Sequence, residues 1–339
     1  MFATVMSSQI AHEVPFLILS EQQQFRLMEL PPEIVELLAS SEPPRLQFKS
    51  SAGGHAALCL PNKTFQLRQV QTSNDVHIMA SKTTSEDRGS EPPRSSVISI
   101  AQCGSSLELA GSSRESAIVH LKQLLPLFED EDSASQGTAA IRSKSVTFAD
   151  VPLSDGECEV AWMQLCAFET QDGRFAYRPS SRLLVKAWSG ILSTAILDRI
   201  DLAGPVTRSR LDVLCESVED VPHPLPRSIL ERLKADDSND ETTTLDQTKT
   251  VEFTGQVLLE DLIEVSTQDF VRQWQNLLPE KWRGQAALDK LSGKYESAGS
   301  DKIRASDAVP SKATADTAAA ATTAGKRKWH EKFKQARRA

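Results

Sequence analysis

Apolar and polar residues alternate most clearly between Ala56 and Met79 (AALCLPNKTFQLRQVQTSNDVHIM). Leu58 to Leu60 is a short apolar run, Pro61 and Asn62 form a turn, and Phe65 and Leu67 alternate with Gln66 and Arg68 at the period of a half-buried strand. Thr72 to Asp75 punctuates the chain before Val76 and Ile78 resume the alternation, so the stretch predicts a β meander. Further strands are expected at Val14 to Ser20, Phe25 to Leu30, Arg45 to Lys49, Val97 to Ala101 and Leu107 to Ala110. In Arg45 to Lys49, Leu46 and Phe48 point one way and Arg45, Gln47 and Lys49 the other. PPEIVELLA predicts a short amphipathic helix, and the stripe Ile118, Leu121, Leu124, Leu125 and Phe128 predicts a closing helix over Ser113 to Phe128, with Ser112 and Glu115 at capping-box spacing. Residues 10–128 therefore read as a mainly-β small barrel or sandwich, interrupted by a solvated insertion over Ser81 to Ser96.

The pattern then changes. Residues 129–144 read as a linker, and from Ser145 onward helical periodicity dominates. Ser154 and Glu157 make a capping box ahead of the face Cys158, Ala161, Trp162, Leu165 and Cys166, and Asp172 and Gly173 signal a hairpin. Helix, helix, hairpin is the order of a winged helix, which places a first such unit at 145–180. Ser181 to Leu197, Thr207 to Cys215 and Pro226 to Lys234 predict the helices of a second unit at 181–235. After a polar insertion at 236–250, the helices Val251 to Ile263 and the one restarting at Ser266 make a third unit at 251–297, with Ala287 to Tyr295 as a short wing. Each unit carries one Trp on a core face: Trp162, Trp188 and Trp274. The fold class expected is thus α+β multidomain, an N-terminal β domain followed by three tandem winged-helix-like domains. Residues 298–339, rich in Ala, Thr, Ser and Asp, read as a disordered tether with a basic tail.

Composition narrows the chemistry. A chain of 339 residues accommodates two or three domains, and its net charge of −8 argues against a protein that coats nucleic acid. The charge is uneven, however, with an acidic stretch at Asp236 to Asp246 and cations from Lys326 to Arg338 interleaved with Trp329 and Phe333. That tail fits a nuclear import signal or a phosphate-neutralising segment. No apolar run reaches membrane-spanning length and no secretory signal is visible, so the expected compartment is the nucleus or cytosol. Five scattered cysteines and six separated histidines offer no zinc spacing; Cys158 and Cys166 read as core. A nucleotide-binding P-loop is also missing, since Gly293 and Lys294 are followed by Tyr295 and Leu288 stands where the first Gly belongs. No catalytic residue, cofactor or metal is expected.

One passage carries a resemblance. LCLPNKTFQLRQVQTSNDVHI, together with QFRLMELPPEIVELL upstream, resembles the Dcc family of sister-chromatid cohesion proteins, accessory subunits of an alternative clamp loader. The resemblance implies a nuclear protein that builds a joint β-barrel with the large subunit of that loader and its very small companion. It also implies contact with the catalytic subunit of DNA polymerase epsilon and indirect contact with the sliding clamp; binding to single- and double-stranded DNA is expected from the winged-helix order and its basic residues.

Candidate contact residues follow from that division. Leu58, Leu60, Phe65, Leu67, Arg68, Val76 and Ile78 are placed at the partner-binding surface, where an exposed strand edge can accept another chain. Arg272, Lys281, Arg283, Lys290 and Lys294 are placed at the DNA, with a second basic set, Arg174, Arg178, Arg182 and Lys186, around the first wing. Two other classes remain open: a winged-helix transcription regulator, which needs a strongly basic recognition helix, and a hydrolase or nuclease, which needs a carboxylate cluster.

Overall fold

The structure is a computed structural model and describes residues 16–18, 20–50, 55–83, 95–112, 116–130, 142–236, 241–299 and 301–306. The basic tail and most of the insertion and linker segments lie outside the described residues. The chain is mixed α/β and divides into two compact units, Met1–Leu125 with Ala140–Leu165, and Pro126–Ala139 with Cys166–Ala339.

The first unit is a curled half-barrel sheet built on two long antiparallel strands, β5 (Thr64–Thr83) and β6 (Ser95–Ser112). The expected break at Thr72 to Asp75 is instead a register shift between Gln71 and Val76 within one continuous strand. Val97 to Ala101 and Leu107 to Ala110 likewise merge into β6. Local turn formers lose here because a bulge keeps the flanking ladder intact on both sides. β1 (Phe16–Ile18) and β2 (Leu27–Glu29) run parallel to β6, while β3 (Gln47–Ser50) and β4 (Ala56–Cys59) extend the sheet beyond β5. Between β2 and β3 lies the helix α1 (Pro32–Leu38), whose Ile34 is buried.

Three further helices belong to this unit: α2 (Ala117–Leu124), α3 (Lys144–Asp150) and α4 (Asp155–Gln164). α2 is shorter than the expected Ser113 to Phe128, capped by Ser116 rather than Ser112, and Leu127–Phe128 leaves it as strand β7. The helices expected to open the first winged-helix-like unit at 145 thus fall in the compact unit of the sheet, and the reason is polar. Lys49, with a side chain only 7 % exposed, donates to the carbonyls of Phe148 (3.1 Å) and Leu153 (2.9 Å) and pairs with Asp155 (2.7 Å). Phe48 points the other way, as the alternation predicts, and it is the apolar side chain that is outward, 64 % exposed. At the foot of α4 the Ser154–Glu157 capping box forms as expected. Glu157 Oε2 also accepts from Thr64 Oγ1 (2.5 Å), whose oxygen in turn accepts from the Ser154 amide (2.7 Å). Gly156 donates its amide to the Pro61 carbonyl, and a Cβ there would stand 2.2 Å from Asn62 Oδ1. A glycine is what lets α4 start against that turn.

In the second unit β7, β8 (Phe168–Glu169) and β9 (Ala176–Pro179) form a small sheet around Phe128, Phe168 and Tyr177. The Asp172–Gly173 hairpin is present, with Gly173 at φ +66°. Cys166 lies beyond α4, not on its face, in a left-handed conformation at φ +48°. Helix α5 (Ser181–Leu197) follows the predicted limits and buries Leu184, Ala187, Trp188 and Ile191; the Trp188 indole donates to the Leu277 carbonyl (2.7 Å). Next come β10 (Val206–Thr207), α6 (Arg208–Glu216), α7 (Pro224–Leu233) and β11 (Thr242–Thr243), with β10 and β11 paired. Ser228 of α7 donates to the Ala167 carbonyl (3.3 Å), and its Arg232 lies over Phe253 (4.5 Å).

Helix α8 (Gln247–Leu262) begins inside the expected polar insertion because Asp246 caps it, accepting from the Lys249 amide (2.7 Å). β12 (Glu264–Ser266), α9 (Thr267–Asn276), two 3-10 turns (Glu280–Gln285 and Leu288–Leu291), β13 (Tyr295–Ser297) and β14 (Lys302–Ala305) complete the unit. β14, expected in the tether, is the centre of the sheet β12-β14-β13. Among the described residues no helix is long and apolar enough to cross a membrane.

The Trp274 ring lies against Gly255, where an added Cβ would meet Cε2 and Cζ2 at 2.5 Å. Gly to Ala in a solvent-facing helix stabilises by about 1 kcal/mol. Gly255→Ala is expected to do the opposite, costing ~1–3 kcal/mol by overpacking and lowering the thermal midpoint. A raised midpoint in a thermal melt would show that the indole can yield.

Candidate functional site

Two surfaces stand out, one in each unit. The first is the outer edge of β5. β4 pairs with it only from Thr64 to Gln66, while β6 covers its other side to Thr83. From Leu67 to Gln71 and from Ile78 to Thr83, β5 therefore has a strand on one side alone among the described residues. An edge of this length presents backbone donors and acceptors that a further strand can satisfy. Two exposed apolar side chains lie on β5 here, Val76 (45 %) on one face and Met79 (37 %) on the other, while Ile18, paired with Ser99, stands beyond β6.

The residues expected at this surface separate into two sets. Leu58 and Phe65 are buried in the core, so they hold the sheet together rather than face a partner. Leu60, Leu67 and Ile78 are half-buried, and Val76 and Arg68 are exposed, with Arg68 paired across the strands to Glu108 (2.7 Å). The period of two assigned the faces, but it could not say which face the chain itself covers. Met79 and Ile18, which the sequence reasoning missed, are exposed as well; the signal for Met79 was its place one residue past Ile78 in the same run, on the other face of the strand.

The second surface lies around α9 and the two 3-10 turns. Trp282 and Leu291 anchor the turns in the core, which leaves Arg283 and Lys290 exposed and, among the described residues, without an ion-pair partner. The other three expected DNA contacts are already engaged. Arg272 pairs with Asp269 (2.6 Å), Lys281 with Asp201 (2.6 Å) and Lys294 with Glu252 (3.3 Å). The Lys281 ammonium holds the Asp201 carboxyl below its ordinary pKa. On the strands that follow, Lys302 pairs with Glu264 and Arg304 with Glu296. Of the second basic set, Arg174 lies by Asp172 (3.6 Å) and Lys186 by Asp220 (3.8 Å), whereas Arg182 is exposed.

These two surfaces now meet the comparisons. The family model of sister chromatid cohesion protein Dcc1 matches residues 25–309, from the strand before α1 to the end of the sheet containing β14. The chain belongs to the Dcc1 family. Membership implies a role in sister chromatid cohesion, within an accessory family, and with it a nuclear role. Comparison with curated proteins gives no match. The family match covers both the open edge of β5 and the cationic turns, so both belong to the Dcc1 part of the chain.

Nothing at either surface resembles a reaction centre. Among the described residues no group of three His, Cys, Asp or Glu side chains is placed to hold a metal ion. All five cysteines are free and buried. Burial pushes the Cys158 thiol up to about 12 and the Cys215 thiol up to about 11, far from a reactive thiolate at neutral pH. Iodoacetamide at pH 8 is therefore expected to leave these two thiols unlabelled in the native chain and to label them once denaturant is added. Rapid native labelling of Cys158, read by mass spectrometry, would contradict the burial described.

Proposed function

We propose that this Dcc1-family chain is a non-catalytic accessory subunit of an alternative clamp loader. It joins the loader by lending the β5 edge to strands of the large subunit and of the very small companion subunit. The observation that carries the reading is that edge: a long strand paired on one side, with exposed apolar Val76 and Met79 along it. A neighbour's strand satisfies the backbone groups, and its side chains, alternating between the two faces, cover Val76 on one face and Met79 on the other.

The second unit supplies the other half of the reading. β12, α9, the 3-10 turns and the β13–β14 hairpin follow one another in winged-helix order, and the sheet order β12-β14-β13 suits that arrangement. At the place of the reader helix, however, are two 3-10 turns with no α-helix to enter a major groove. Arg283 and Lys290 then face phosphates rather than base edges, which favours sequence-tolerant binding to single- and double-stranded DNA and speaks against a transcription regulator. In the first unit, α4 exposes Val160 and Met163, and its carboxylates Asp155 and Glu159 are already paired with Lys49 and Lys144. Such a face suits protein rather than phosphate; the polymerase epsilon catalytic subunit is the partner the family resemblance implies, with the sliding clamp reached indirectly. The mechanism is tethering, in which two weak contacts on one chain raise each other's effective concentration.

Val76→Lys and Met79→Lys place a charge on each face of the edge and are expected to change the stability of the chain itself by about 0.5 kcal/mol each. They are expected to abolish co-purification with the two loader subunits, and full retention of both would refute the docking edge. For DNA, binding through Arg283 and Lys290 alone gives a log–log salt slope of about −2, a loss of about 15-fold between 50 and 200 mM salt, whereas five phosphate contacts would give about −4.5. Arg283→Glu with Lys290→Glu is expected to flatten the slope towards zero in an anisotropy titration. An unchanged slope would move the contact to another surface.

A further inference from the structure

One ion pair ties the cationic turn to the segment that follows α5. Asp201 Oδ2 accepts from the Lys281 ammonium (2.6 Å), while its Oδ1 accepts from the Ala203 amide (3.0 Å). The Gly204 amide donates to the Asp201 carbonyl (3.1 Å), so the residue is fixed through its backbone as well. On the other side of the pair, Trp282 is buried and anchors the turn, and the Trp188 indole of α5 holds the Leu277 carbonyl shortly before it. Both side chains of the pair are more than half exposed, yet each stands on a braced support. The carboxylate therefore stays beside the ammonium.

Resting on the DNA reading above, we propose that Asp201 stands in the place of a phosphate and so limits how many phosphates the turn can hold. Lys281 and Arg283 flank the buried Trp282, and of the two only Arg283 lacks an ion-pair partner among the described residues. To an approaching phosphate the Lys281–Asp201 pair is neutral, and seating on Lys281 brings that phosphate against a like charge. Exposed ion pairs are individually weak, and the Ala203 amide is what keeps this one closed. The Arg272–Asp269 pair lies within one helix, and Lys294 pairs with Glu252 of α8. Asp201 alone among these carboxylates neutralises a cation that shares its turn with unpaired Arg283. The restraint keeps the DNA contact weak and reversible, which suits one of two tethering contacts.

The test is an anisotropy titration of the full-length protein on one labelled duplex across a salt series. Asp201→Asn keeps an oxygen for the Ala203 amide and removes the charge. It is expected to add one phosphate contact, steepening the log–log salt slope by about 0.9, so that affinity falls about 3.5-fold further than that of wild type between 50 and 200 mM salt. Adding Lys281→Gln to Asp201→Asn is expected to restore the wild-type slope. Glu280→Gln removes an exposed carboxylate of the same turn that pairs with no cation among the described residues, and is expected to leave the slope unchanged. Equal steepening by Asp201→Asn and Glu280→Gln would overturn the proposal, because overall charge would then suffice. A slope indifferent to Asp201→Asn, while Arg283→Glu with Lys290→Glu still flattens it, would overturn the proposal and leave the DNA reading standing. Absence of binding by both wild type and Asp201→Asn would overturn the two together.

Discussion

Every strand of the N-terminal sheet depends on the ladder between β5 and β6. Among the described residues β1 and β2 have no neighbour in it except β6, β4 is held by β5, and β3 hangs on β4. The ladder survives two further irregularities besides the one at Gln71 and Val76, and each shifts the register by inserting unmatched residues. Such bulges bend and twist a long pair, which is how two strands of this length curl instead of lying flat. The same curl explains why one edge of β5 stays open: β4 leaves it after three residue pairs.

The second constraint within that unit is the polar seam that fixes α3 and α4 to the sheet. A lysine this deeply enclosed is tolerable because two carbonyls and a carboxylate replace its water. Removing the Lys49 ammonium would leave those acceptors facing one another without compensation. The seam also ties distant sequence together, since Thr64 on β5 and Ser154 and Glu157 at α4 share hydrogen bonds. The Dcc1 family match spans all of these residues.

The parts that were legible in the sequence are those set by near neighbours. The Ser154–Glu157 box, the Asp172–Gly173 hairpin and the limits of α5 all follow from spacing within a few residues, and all are present. What sequence could not show depends on partners far along the chain. Thr72 to Asp75 reads as a turn until β6 is known to run beside it, and Lys302 to Ala305 reads as tether until β12 and β13 flank it. The site residues divide in the same way. Clustering of Arg272, Lys281, Arg283, Lys290 and Lys294 was visible, but the carboxylates of Asp201 and Glu252 that occupy two of them were not. Leu58 and Phe65 were recognisable as one side of a sheet, yet their burial depends on what the rest of the chain lays over them.

The parallel pairing of β1 and β2 with β6 has a consequence for biosynthesis. Phe16 finds Val97, and Leu27 finds Ser106, only after the whole of β5 and β6 has left the ribosome. Until then β1 and β2 have no docking position, and their unpaired backbone and exposed Leu17 and Ile18 are open to chaperones and to premature association. Topology of this kind sets the order of synthesis against the order of assembly, so β1 and β2 are among the last parts of the sheet to settle.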